Sequence, residues 1–126
     1  MYTFNDSDLL SALDNLAVQN LDRLDFGVIK MTVGGIVLSY NAFESNLSGL
    51  AAERVLHKEF FVEVAPCSNN YLVAQRMFDA ESLDATIDYV FTWKLRPTPV
   101  RLRMLRAAGA SHMYLLVERR AKAPVL

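Results

Sequence analysis

The sequence predicts an α+β domain: a five-stranded antiparallel sheet, with helices inserted between strands 2 and 3 and an N-terminal helical cap. Three observations predict it. Gly34-Gly35 separates two segments rich in β-formers. Short helical signals then crowd the middle of the chain, from Asn41 to Glu81. Three further strand-like segments, punctuated by Pro97, Pro99 and Gly109, close it.

Taken in order, Asp6, Ser7 and Asp8 offer N-cap oxygens to a helix whose Leu9, Leu10, Leu13, Leu16 and Ala17 recur at helical spacing. Leu21 and Leu24 extend the apolar content. Residues 1–24 therefore read as a cap over a core spanning 25–126, one domain overall. Phe26 to Val33 is strand-like, and Gly34-Gly35 reads as a primed hairpin turn with positive φ at its centre. Ile36 to Tyr40 is the return strand. Asn41 caps a short helix that Gly49 stops, and residues 51–57 form another. Ser68, Asn69 and Asn70 cap a longer helix over about 71–81, where Leu72, Val73, Arg76 and Met77 keep helical spacing. The last strands are expected at 85–94, 100–108 and 112–119. Alternation through Arg101-Leu102-Arg103-Met104-Leu105 implies one buried and one wet face. Composition gives only α+β, whereas this order of elements is the layout of a PAS domain.

The chain has 126 residues, 52% of them hydrophobic, enough for one domain with one sizeable core. A charged fraction of 21% excludes global disorder. Net charge is −1; Arg101, Arg103, Arg106, Arg119, Arg120 and Lys122 cluster late, but several share one side of strands and no nucleic-acid motif accompanies them. No apolar run spans a membrane, and the acidic start is unlike a secretory signal, so a cytoplasmic protein is expected. The single cysteine, Cys67, excludes an intramolecular disulfide and argues against structural zinc. By itself it reads as a small buried hydrophobe. A thiol enzyme is a rival reading, but neither His57 nor His112 sits in a nucleophile signature.

Four strings carry a resemblance: Leu24-Asp25-Phe26-Gly27-Val28-Ile29, Tyr40-Asn41-Ala42-Phe43-Glu44, Glu59-Phe60-Phe61-Val62-Glu63-Val64-Ala65-Pro66-Cys67, and Tyr89-Val90-Phe91-Thr92-Trp93. Across about 21–120, with a few residues fewer after the cysteine, the sequence resembles the photoactive yellow protein family of blue-light sensors. The resemblance implies p-coumaric acid (4-hydroxycinnamic acid) held as a thioester on Cys67. It implies that Tyr40 and Glu44 hydrogen-bond the phenolic oxygen, that Ser48 supports Tyr40, and that Phe60, Val64, Ala65 and Phe91 line the pocket. It also implies that the Cys67 backbone N–H receives the thioester carbonyl. Spacing alone would make Tyr40 an edge tyrosine and Glu44 a solvated helix glutamate.

Three positions depart from the family pattern. Leu50 stands where the family often has a shielding arginine, with Arg54 or Arg96 as candidate substitutes. Leu95 replaces a methionine that assists thermal recovery, which implies a slow return to the dark state. Trp93 replaces a tyrosine near the pocket. The implied partner is a downstream signalling protein, with neither nucleic acid nor membrane, and the chain is expected to be a monomer or weak dimer. The rival within the same fold is a PAS small-ligand or protein-interaction module without light sensing.

Overall fold

The computed structural model describes residues 1–93 and 96–119, Trp93 by its backbone alone. Two short helices, α1 (Leu9–Asn15) and α2 (Val18–Leu21), precede β1 (Gly27–Thr32) and β2 (Val37–Tyr40). Then come α3 (Ala42–Ser48), α4 (Ala52–Val55), a π-helical turn at Phe60–Val64, a 3-10 turn at Pro66–Ser68 and α5 (Ala74–Asp79). β3 (Leu83–Trp93), β4 (Arg96–Arg106) and β5 (His112–Arg119) complete an antiparallel sheet in the order β2-β1-β5-β4-β3.

Two apolar clusters sandwich this sheet. Ile29, Met31, Leu102, Met104, Leu115 and Val117 face the inserted helices. Val28, Leu105, Tyr114 and Leu116 face Phe4, Leu9, Leu13, Leu21 and Leu24 of the N-terminal segment. Side chains alternate across a strand, so a strand covered on both faces loses its polar stripe. This is why Met113 to Val117 is an unbroken buried run.

The structure corrects several expectations. Arg103 is not on a wet face: it is 7% exposed beneath the N-terminal segment. Its Nε and Nη2 each lie 2.9 Å from the Asp84 carboxylate, and Nη1 donates to the carbonyls of Phe4 and Asp6 at 3.0 and 2.7 Å. A guanidinium tolerates burial there because its fork finds an acceptor on every side. At the hairpin only Gly35 has a positive φ, 92°, and the β1–β2 register slips between Lys30 and Met31, so the turn is not a two-residue primed one. None of the three proposed caps serves α1. Asp8 adopts a left-handed conformation with no capping bond, and the Asp6 carboxylate takes the Thr3 N–H and hydroxyl instead.

α5 is shorter than expected. Asn70 Oδ1 accepts from the N–H groups of Leu72 and Val73, closing a turn before the helix starts at Ala74. Pro97 and Pro99 lie inside β4 rather than in its connection. They are two residues apart, paired with Thr92 and Val90 of β3, and described β5 pairing begins only at Val100, so both lie where β4 has one described neighbour, the edge-like setting in which a strand tolerates proline.

Asn41 joins three elements. It is 3% exposed, accepts from the N–H groups of Val28 and Glu44, and donates to the carbonyls of Leu21 and Phe26. Truncation removes a helix cap and orphans buried backbone groups at once. Asn41→Ala is expected to lower unfolding free energy by about 3 kcal/mol, measured by urea denaturation; a loss under about 1 kcal/mol would contradict this role.

Candidate functional site

The site begins where β2 runs into α3. Asn41 caps α3 and Gly49 ends it at φ 77°, so the helix is one short unit that sets its first-turn glutamate against β1. Glu44 is 0% exposed. Gly27 makes the fit possible, since a Cβ there would run into the Glu44 carboxylate and lie 3.1 Å from its Cβ. The reading of Glu44 as a solvated helix residue is therefore wrong; Tyr40 does end an edge strand, β2, but its side chain is buried at 4% exposure.

Tyr40 and Ser48 share a hydrogen bond of 2.8 Å, and Ser48 Oγ also accepts from the Leu50 N–H. Burial, with the Glu44 charge nearby, raises the Tyr40 phenol well above its ordinary value. Glu44 does not bond Tyr40. Its Oε2 takes a hydrogen bond from Arg119 Nη2 at 3.0 Å, and Oε1 has no partner among the described residues. Desolvation pushes the Glu44 carboxyl up to about 7 even though the Arg119 cation pulls it down.

Sequence reasoning missed Arg119 as a site residue. It read as one of several late basic residues, although an arginine ending a strand of buried apolar residues was a signal. Its orientation needs the tertiary register: Met113, Leu115 and Val117 face the inner cluster, so Arg119, two residues on, does too.

Cys67 is free and half-buried in the 3-10 turn, packed against the inner cluster that holds Tyr40, Phe60, Ala65 and Phe91. Phe60 and Phe91 are fully buried; Val64 and Leu50 are half-buried against the same cluster. The turn is anchored by two residues that the sequence did not mark for the site: Asn70 read only as a helix cap, and Tyr89 only as part of a family string. Tyr89 donates to the Cys67 carbonyl at 2.6 Å, and Asn70 Nδ2 donates to Tyr89 Oη and, at 3.3 Å, to the same carbonyl. The Tyr89 and Phe91 rings meet edge to face at 5.7 Å. A depression of about 250 Å³ between Leu50, Arg54, Val64 and Lys58 opens beside this region, so Arg54, one of the two candidate substitutes for the shielding arginine, shares a surface with Leu50; the other, Arg96, is exposed at the start of β4. Leu95 lies outside the described residues, and Trp93 enters only as the β3 residue paired with Arg96.

Two curated relatives align over nearly the whole chain. Photoactive yellow protein of Rhodothalassium salexigens is 31% identical over 94% of this chain and 98% of that protein. The protein of the same name from Halochromatium salexigens is 32% identical over 92% of this chain and 95% of its own length. The chain belongs to the photoactive yellow protein family. Among solved structures, the photoactive yellow protein domain of the sensor histidine kinase Ppr from Rhodospirillum centenum superposes with a TM-score of 0.80 at 34% identity, covering 86% of this chain and 98% of that one. The PAS domain of an HTR-like protein from Haloarcula marismortui, at 12% identity and a TM-score of 0.62, shares the fold. No protein-family model matches the chain. The five-stranded PAS fold, and a place among sensory photoreceptor domains rather than enzymes, follow from these likenesses. Among the described residues no helix is long and apolar enough to cross a membrane.

The Glu44 carboxyl sets a pH dependence. Unfolded, it loses its proton near 4.5; folded, it keeps the proton up to about 7. Between these values the folded state binds the extra proton, so stability falls as pH rises through that window. Urea denaturation as a function of pH should show this decline, and Glu44→Gln should flatten it. An equal slope in both proteins would show that another group is responsible.

Proposed function

We propose that the protein is a blue-light photoreceptor carrying p-coumaric acid as a thioester on Cys67. The observation that carries this reading is Glu44: a fully buried carboxyl with one oxygen unpartnered among the described residues, its pKa raised by desolvation to about 7. An unsatisfied buried carboxyl oxygen costs stability unless a ligand group completes it. A neutral carboxyl is also a strong donor to a phenolate, whose burial is costly without donors.

The surrounding residues fit the group. Cys67 offers a thiol beside an apolar cluster, Phe60 and Phe91 supply flat apolar walls, and Tyr40, already held by Ser48, is a second hydroxyl donor. When bound, the group supplies visible absorption and a trans-to-cis photoisomerisation. The chain's residues supply the rest. Tyr40 and Glu44 hold the phenolic oxygen as an anion in the dark, and Tyr89 and Asn70 fix the Cys67 turn through its carbonyl. After the light step Glu44 gives up its carboxyl proton and is left as a buried carboxylate, an electrostatic strain of several kcal/mol.

That strain is relieved by loosening residues 1–24, the cap. The segment is held partly by polar ties, Arg103 to the Phe4 and Asp6 carbonyls and Asp14 to His112 and Tyr114, which separate as units. A downstream signalling protein would read the released surface. Leu95, stiffer than a methionine, makes the return to the dark state slow.

Reconstitution with an activated p-coumaroyl donor tests the proposal. A visible band and a matching mass increase on Cys67 should appear, Cys67→Ala should lose both, and Glu44→Gln should shift the band while keeping the adduct. No band in the wild-type protein would leave a PAS module without light sensing. Leu95→Met should speed recovery after a flash, followed by absorbance; unchanged or slower recovery would remove Leu95 from the account.

A further inference from the structure

Three features make the guanidinium of Arg119 more than a surface charge. Its side chain is 16% exposed, and its Nη2 bonds a carboxylate that is 0% exposed. Its Nε and Nη1 are buried and without partners among the described residues. Arg119 also reaches the site from β5, whereas Tyr40 and Glu44 come from β2 and α3, so its position is set independently of theirs. The titratable groups facing Glu44 are Tyr40 and Arg119; from β1 the neighbour is Gly27, which has none.

Leu50 leaves the family's shielding position without a cation. We infer that Arg119 is the counter-ion for the single negative charge at this end of the pocket, whether that charge sits on Glu44 or on a bound phenolic oxygen. The inference deepens the photoreceptor reading and rests on it for its second half. One nitrogen serves Glu44 and two remain to donate, so the fork neutralises either oxygen without leaving the site.

The charge bookkeeping is simple. In the proton step the carboxyl O–H bond of Glu44 breaks, a phenol O–H bond forms, and one negative charge moves from the phenolic oxygen to the carboxylate. No electrons are exchanged. With Arg119 beside Glu44, the light-formed carboxylate is partly compensated and persists longer than an unpaired buried anion would. Arg119 is thus a positioning residue that sets how long the proton-transferred state lasts.

The first measurement needs no pigment. The Glu44 carboxyl is titrated by infrared or carbon NMR in the pigment-free wild type, Arg119→Gln and Arg119→Lys. Arg119→Gln should raise the titration midpoint by about 1–3 units, and Arg119→Lys should restore most of it; an unmoved midpoint overturns the counter-ion role. The second follows flash recovery in the pigment-reconstituted proteins. Arg119→Gln should recover at least about tenfold faster, the equivalent of one pK unit, with Arg119→Lys between it and wild type. A moved midpoint with unchanged recovery overturns the role in the light cycle. If no protein takes up pigment, the photoreceptor reading fails, while the titration still decides the ion pair.

Discussion

A carboxyl group sealed from water beneath the sheet is the constraint around which this fold is arranged. Glu44 sits at zero exposure, and an ionised carboxylate there would be prohibitive without a partner. Three elements converge to make the burial tolerable. Asn41 fixes the first turn of α3, Gly27 removes the side chain that would occupy the carboxylate's space, and Arg119 brings a cation from the far end of β5. The compensation is incomplete: one oxygen is bonded and the other has no partner among the described residues. A fully satisfied ion pair would hold its proton equilibrium far from neutrality; this one stands near it.

The same logic extends to the N-terminal segment. Phe4, Leu9, Leu13 and Leu24 cover the outer face of the sheet, yet the fastening is partly polar. Arg103 ties the Phe4 and Asp6 carbonyls to Asp84, and Asp14 Oδ1 accepts from Tyr114 and contacts His112 Nε2 at 2.7 Å. Asn41 links the two halves of the device, because one side chain bonds Leu21 and Phe26 on the cap side and Val28 and Glu44 on the site side. A change in charge at Glu44 is therefore one hydrogen-bonded residue away from the cap. Contiguous polar contacts of this kind are a physical route by which a local charge change alters a remote packing equilibrium.

On the proposed photoreceptor reading, Tyr40, Glu44 and Cys67 serve the pigment in electrostatic surroundings of this chain's own. Leu50 is an apolar residue packed against the inner cluster, and Arg119 is the cation paired with Glu44. An apolar side chain excludes water where an arginine would both exclude and attract, so the two arrangements balance a buried anion differently.

The sequence by itself determined the order of elements, the hairpin location, the Asn41 cap and Gly49 stop of α3, and the start of β5, because these are local: they follow from caps, turn residues and periodicity within a few positions. Its family strings also marked Tyr40, Glu44 and Cys67, which spacing alone would have dismissed. Tertiary structure decided what those local signals cannot contain. Whether Arg103 is wet or buried depends on the cap lying over β4, and the short α5 depends on Asn70 turning its amide toward Leu72, Val73 and Tyr89. The pairing of Arg119 with Glu44 joins residues that lie 75 positions apart. The registers of β5 against β1 and β4 set which face that arginine takes, and no pattern along the chain encodes a register between strands so far separated.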